Sequence, residues 1–173
     1  EKTTSDISFG RDAFMHFFLL QEWNNDQLST KAGVFFDGNV RLNNLSQVRY
    51  VVNYFPARYD DLNSFGNGAF WIDDRVHVGA GYGTDSSKRL SLDVDLRFES
   101  ENLGGHRVRF NTTMTYRPLD RLTTVLSVDY RKRDGWLLHQ TGSEMTTFEA
   151  EDWKFKWDFD FFFTARQQLR ASF

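Results

Sequence analysis

Few residues of this 173-residue chain have the types and spacing for covalent chemistry. Asp158 and Asp160 lie two apart, which on one strand face separates them by about 6.6 Å, a spacing that suits paired glycosidase carboxylates. Yet Lys154 and Lys156 continue the same row, and the local sequence offers no apolar environment to make one of the pair a general acid. The row reads instead as a ladder of ion pairs. Ser127 and His139 fall on what read as neighbouring strands, within reach as nucleophile and base, but no Gly-x-Ser-x-Gly elbow accompanies them. His16, His77, His106 and His139 are scattered, with no His-Glu-x-x-His spacing. Gly79-Ala80-Gly81-Tyr82-Gly83 imitates a dinucleotide loop but lacks the following helix, so its glycines read as relief of crowding on a curved strand. Asp60, Asp61, Asp73, Asp74 and Asp85 could meet round a calcium ion at a loop rim, without the spacing of an EF-hand. Arg131-Lys132-Arg133 suits lipid phosphates or a solvated turn. Asn44-Leu45-Ser46 and Asn111-Thr112-Thr113 match glycosylation acceptors, the second within a strand. These readings assign no catalytic residue, no cofactor and no metal, and an enzyme is the less favoured reading.

The elements that carry these residues are strands. Aromatics are 17% of the chain, with 18 Phe, and such residues favour strands. With 21 Lys and Arg against 24 Asp and Glu, the net charge of −3 gives no bulk attraction to nucleic acid, and none is expected as a partner. The absence of cysteine removes disulfides and thiolate chemistry. The chain opens Glu1-Lys2-Thr3-Thr4 without Met, which reads as a processed or shortened polypeptide. No composition shift marks a boundary, so residues 1–173 read as one domain.

Period-two alternation is strongest from residue 88. Leu90, Leu92, Val94, Leu96 and Phe98 share one parity, while Asp93, Asp95 and Arg97 share the other. Phe110 and Met114 alternate with Arg109 and Arg117, and Leu126 and Val128 alternate with Asp129 and Arg131. Trp153, Phe155, Trp157, Phe159 and Phe161 alternate with Lys154, Lys156, Asp158 and Asp160. The first half is weaker. Phe70 to Tyr82 reads as one strand interrupted at Asp74, and Phe14 to Leu20 is too continuous to assign a face. Asp37-Gly38-Asn39, Asn102-Leu103-Gly104-Gly105, Pro118-Leu119-Asp120-Arg121 and Asp134-Gly135 read as turns, with Asp60–Gly68 as the longest loop. The expectation is an all-β antiparallel meander of about nine or ten strands.

Three features make hydrocarbon the expected neighbour of the oily face. Candidate strands run about 10–13 residues, the length of a tilted membrane strand rather than the common 5–6 of soluble strands. Aromatics gather toward strand ends, at Tyr54, Phe55, Phe98, Tyr116, Tyr130, Trp153 and Trp157. Charges of both signs run deep into the opposite face. The expected architecture is a transmembrane β-barrel, or part of a larger one. Its lumen would receive Asp93, Asp95, Arg97, Arg109, Arg117, Asp129, Arg131, Lys154, Lys156, Asp158 and Asp160. Lipid would meet Leu90, Leu92, Val94, Leu96, Phe110, Met114, Leu126, Val128, Phe155, Trp157, Phe159 and Phe161.

Particular runs also resemble a known family. These are Gly66-Asn67-Gly68, Thr84-Asp85-Ser86-Ser87-Lys88, Tyr116-Arg117-Pro118, Val128-Asp129-Tyr130, and the closing Asp160-Phe161-Phe162-Phe163-Thr164-Ala165-Arg166-Gln167-Gln168-Leu169-Arg170. Over roughly residues 60–173 the sequence resembles the C-terminal domain of unknown function of large bacterial envelope proteins. Those proteins often carry an N-terminal carbohydrate-binding-like module of family 9. Phe65 stands where that family usually has Arg, and its closing run continues further. The resemblance implies an outer-membrane barrel of a Gram-negative bacterium, of which this chain is a fragment, but no catalytic residue. A terminal Phe173 after Leu169 and Ala171 equally resembles the assembly signal of a complete small barrel.

The expected function is transport, export or surface anchoring, with a carbohydrate-related substrate as the guess the family supports. Expected partners are outer-membrane lipids, the barrel-assembly machinery, and the rest of a longer chain or other envelope proteins. Two alternatives stay open: a soluble antiparallel β-barrel or sandwich binding lipid or protein partners, and an outer-membrane hydrolase.

Overall fold

The computed structural model describes residues 2–61, 68–141, 144–164 and 166–173, and is all-β. Its strands are β1 (Lys2–Ile7), β2 (Gly10–Trp23), β3 (Ser29–Leu42), β4 (Gln47–Phe55), β5 (Arg58–Asp60), β6 (Phe70–Ile72), β7 (Arg75–Gly83), β8 (Leu90–Ser100), β9 (His106–Leu119), β10 (Leu122–Thr141), β11 (Glu144–Thr164) and β12 (Gln167–Ser172). A single 3₁₀ turn, Asn102–Gly104, links β8 to β9. Ten strands form one antiparallel sheet in the order β1-β2-β3-β4-β7-β8-β9-β10-β11-β12, and β5 pairs with β6 in a separate ribbon. The sheet is an open meander with β1 and β12 at its edges.

Connections differ at the two ends of the sheet. At one end, β1–β2, β3–β4, β7–β8, β9–β10 and β11–β12 are joined by short reversals. At the other, β2–β3 and β8–β9 are also joined briefly, by residues 24–28 and 101–105, but β4 and β7 are separated by the β5–β6 ribbon, and the β10–β11 hairpin outruns its neighbour, since β9 pairs with β10 only as far as His106 with Asp134. The irregular stretch expected over Asp60–Gly68 lies mostly at 62–67, outside the described residues, as do Gly66 and Asn67 of the resemblance and Ala165 of its closing run.

Three expectations are corrected. Asp37-Gly38-Asn39 is not a turn but the middle of β3, paired with β2 and β4. Gly38 serves close packing there: a Cβ would come within 2.6 Å of the Tyr50 hydroxyl and would collide with the Phe14 carbonyl. The reversal comes later, at Asn43 to Ser46, where Leu45 takes φ 66° and the Asn44 side chain accepts from the Ser46 N–H at 3.0 Å. Asp134-Gly135 is a bulge inside β10, where the register shifts between Arg133 and Trp136 and Gly135 takes φ 68°. Phe70 to Tyr82 is two strands, broken at Asp73-Asp74. The Pro118–Arg121 reversal is in place, tightened to Asp120-Arg121 between β9 and β10.

The pairing settles the faces. One row runs Asn39, Arg49, Gly81, Asp95, Asn111, Asp129 and Lys154 across β3, β4 and β7 to β11. The adjacent residues on each strand form the apolar rows. Phe14, His16 and Phe18 belong to the first face, and Met15, Phe17 and Leu19 to the other, so β2 is oily on both sides. That is why its run of apolar residues had no readable period.

Burial is inverted relative to a water-soluble domain. Among the described residues, Ala32 and Ile72 are the only buried apolar side chains. Leu96 is 53% and Phe155 68% exposed, whereas the side chains of Asp129 and Glu101 are 14% and 2% exposed. The apolar face is open, while the charged face ranges from nearly buried carboxylates to side chains as exposed as Lys156, at 61%. The main-sheet strands pack against their ladder neighbours, β5 touches β3, and no second layer of described elements covers the apolar side.

Glycine makes one long contact on the charged face possible. Arg49 on β4 passes over Gly81 of β7 and forms a bidentate pair with Asp93 of β8, at 2.8 and 2.7 Å. A Cβ on Gly81 would sit 2.9 Å from Arg49 Nε and 3.0 Å from an Asp95 oxygen. Gly81→Val is expected to cost about 1–3 kcal/mol by overpacking. In an Arg49→Ala background most of that penalty should vanish, a coupling that a double-mutant cycle of urea unfolding measures.

Candidate functional site

The functional candidate is the pair of opposed faces rather than a pocket. Asp93, Asp95, Arg97, Arg109, Arg117, Asp129, Arg131, Lys154, Lys156, Asp158 and Asp160 all lie on the charged face. The twelve apolar residues named with them, from Leu90 to Phe161, all lie on the other.

The charged face is knitted across strands. Asp129 accepts from Arg109 at 2.8 Å, Arg131 at 2.7 Å and Asn111 at 3.2 Å, so one carboxylate joins β9 and β10. Asp95 accepts from Arg97 at 2.7 Å. Lys156 meets Asp158 at 2.8 Å, and Ser172 donates to Asp158 at 2.7 Å. Asp160 accepts from Gln168 at 2.6 Å and Arg170 at 3.2 Å, which ties β11 to β12. Asp158 is thus occupied by a cation and a hydroxyl and Asp160 by a cation and an amide, in keeping with a ladder of ion pairs.

At the end of the sheet with the longer connections, Glu101 holds the most buried charge in this network. It pairs with Arg133 at 2.6 Å and Arg75 at 3.7 Å. Arg75 also approaches Glu99 at 3.6 Å, and Glu99 binds Arg107. The Arg75 and Arg58 guanidiniums lie over Phe55, 5.6 and 6.0 Å from its ring centre. Sequence reasoning passed over Arg75, Glu99 and Glu101. Glu99 continues the parity of Asp93, Asp95 and Arg97, so that signal was present for it.

Other expectations come apart in space. Ser127 and His139 are on the same strand, β10, twelve residues and roughly 40 Å apart, and Ser127 shares a hydrogen bond with Thr113. The acidic residues divide. Asp60, Asp61, Asp73 and Asp74 belong to the β5–β6 end, and Asp85 to the opposite end, so they do not surround one ion. No cluster of three or more metal-ligating residues occurs among the described residues. Asp85 instead closes the β7–β8 turn: its carboxylate accepts from Ser87 N–H at 2.9 Å and Ser87 Oγ at 2.7 Å. Those bonds hold its pKa below the ordinary carboxylate value. His16 meets Asp37 at 3.3 Å and His77 meets Asn53 at 3.2 Å, ordinary cross-strand contacts. The Gly79–Gly83 stretch is strand, with no helix after it. Of the basic triplet, Arg131 and Arg133 lie on the charged face and Lys132 on the other.

On the apolar face, one hydrogen-bonded row begins oily and ends charged: Phe17, Phe36, Val52, Val78, Phe98, Val108, Lys132, Glu151. The apolar stretch of β2 is centred near His16, and that of β11 is centred on Trp157. Following the pairings, this centre drops by about five residues, or about 17 Å, over seven strand steps spanning roughly 34 Å. The oily band is therefore oblique to the hydrogen-bond rows by roughly 25–30°, in the sense of a barrel's strand tilt though below its usual value of about 35–45°. Tyr130 stacks on Trp153 at 4.4 Å and Trp157 on Phe173 at 5.5 Å within this band. No protein family, curated protein or solved structure matches this chain.

Replacing Glu101 by Gln strips the charge from a nearly buried acceptor that two arginines share. Equilibrium unfolding should register a loss of roughly 2–4 kcal/mol. Glu144→Gln, at an exposed position, should stay within about 0.5 kcal/mol of the parent.

Proposed function

We propose that this chain is an integral wall of an outer-membrane β-barrel in a Gram-negative envelope, apolar face on hydrocarbon and charged face on the interior. The oblique oily band carries the reading. A bilayer is a slab, and a strand crosses it tilted, so the residues in one hydrogen-bond row reach different depths. Lys132 and Glu151 share a row with Phe17, yet the slant carries them out of the apolar zone. The difference between the sheet ends supports the same placement, since outer-membrane barrels have short turns on one side and long connections on the other. The exposed apolar surface does too. Leu90, Leu92, Leu96, Leu126, Phe155 and Trp157 are each more than 40% exposed on that one face, a display unusual for a monomeric soluble protein.

The activity proposed is passage, export or surface anchoring, with outer-membrane lipids and the barrel-assembly machinery as partners. Further strands from a longer chain or another envelope protein would complete the wall. The resemblance to the envelope-protein domain supports this reading and makes a carbohydrate-related cargo the leading guess. A soluble sandwich needs a second layer on the oily face, which the described elements do not supply, and a soluble barrel needs that face turned inward, whereas Leu96 and Phe155 are more than half exposed.

Purified from membranes, the chain should stay monodisperse only in detergent. Monodispersity in plain buffer would overturn the placement. Within the band, Leu126→Arg should destabilise the bilayer-folded protein by roughly 2–4 kcal/mol. Lys132→Gln, outside the band, should change little, as read from urea titrations in lipid vesicles.

A further inference from the structure

Arg97, Arg109 and Arg131 stand directly opposite one another on β8, β9 and β10. Neighbouring strands are about 4.8 Å apart, so three guanidinium stems share roughly 10 Å of wall. Like charges placed opposite one another on a sheet are destabilising unless something neutralises them. The carboxylates present do so in part. Asp95 takes Nε of Arg97, while Asp129 takes Nε of Arg131 together with Nε and Nη2 of Arg109. Both terminal nitrogens of Arg97 and Arg131, and Nη1 of Arg109, have no hydrogen-bond partner among the described residues. Each of the three side chains is close to half exposed. Beside them Arg107 binds Glu99, which Arg75 also approaches at 3.6 Å, and Asp152, opposite Arg131 on β11, is held by Lys154 at 3.6 Å, so each carboxylate bordering the row already has a cation. The arginines, Glu99 and His77 border a recess of about 160 Å³ on the charged face.

We propose that this arginine row binds a multivalent oxyanion, through the phosphate or carboxylate groups of a polar solute. The free groups are all donors, so the site needs acceptors. A guanidinium offers them as a planar fork that matches the paired oxygens of phosphate and carboxylate. Each carboxylate beside the row already pairs with a cation, which leaves the guanidinium donors as the groups in excess. Three forks abreast suit a ligand with more than one charged group, and its binding relieves the repulsion along the row. The proposal is independent of what covers the apolar face, because the row lies on the opposite side of the sheet.

The test is calorimetric titration of the full chain at low ionic strength with pyrophosphate, citrate and acetate, in detergent or in buffer, whichever keeps it monodisperse. Saturable binding of pyrophosphate or citrate at least about tenfold tighter than acetate is expected. Pyrophosphate alone would mark a phosphorylated solute, citrate alone a polycarboxylate, and both a general oxyanion site. Arg109→Gln with Arg131→Gln should weaken binding at least about tenfold, with the β-sheet circular dichroism retained. Should that pair unfold the chain, Arg131→Lys serves instead: it keeps the charge, loses the fork, and should still weaken binding. Arg170→Gln, on the same face but away from the row, should leave affinity unchanged. Equal affinity for acetate, or affinity untouched by changes in the row, overturns the proposal. A chain that needs no detergent would sink the membrane reading without altering these titrations.

Discussion

A charge needs a partner or water, and an apolar surface offers neither. That constraint orders the sheet. Within the tilted oily band one face has almost no ionisable group, and the other carries a lattice of pairs from Arg49–Asp93 to Asp160–Arg170. Each exposed pair contributes little alone, about 0–1 kcal/mol. Linked through Asp129, Glu99 and Glu101, they pin the register of consecutive strands, because a slip of one residue would turn every charge to the oily side. Glu101 is the extreme case, since its burial is tolerable only while Arg75 and Arg133 stay in place.

The same constraint applies to the backbone. β12 pairs with β11 from Asp158 to Thr164, and Phe173 adds two bonds to Trp157. The rest of β11, back to Glu144, has no described strand on that side. In water such an edge is tolerable, but each unpaired group in hydrocarbon costs several kcal/mol. Trp153 and Phe155, on that free stretch, belong to the oily band. A membrane placement therefore demands another strand beside β11 and a partner for β1. This is a physical reason to expect that the sheet works as part of a larger closed wall.

The alternation on β8 to β11 could be read without coordinates because period two is strict wherever one face excludes charge. Strand class, antiparallel order and the division of residues between the faces all follow from it. What escaped the reading had local causes. Gly38 and Gly135 carry turn chemistry in their sequence neighbours, but one admits the Tyr50 ring and the other forms a bulge. β2 hid its faces because Phe14, His16 and Phe18 stack along the charged side, with Phe18 on Phe35 at 4.2 Å, while Met15, Phe17 and Leu19 make the other side oily too. The slant of the band is invisible to any single strand, since it exists only in the register between them.

That register also divides the charged face into two chemistries. From β2 to β4 it carries an aromatic chain, Phe18 on Phe35 and Phe35 against Phe55, beside Asn39 and Arg49. From β8 to β11 it is ionic. Between them Gly79, Gly81 and Gly83 of β7 leave a furrow with almost no side chain, and Arg49 lies across it to reach Asp93. Filling the furrow with larger residues would separate Arg49 from its carboxylate and bury a guanidinium without a partner, the costlier of the two states. The glycines are therefore best understood as part of the charge network: they are the empty space that lets one arginine hold three strands in register.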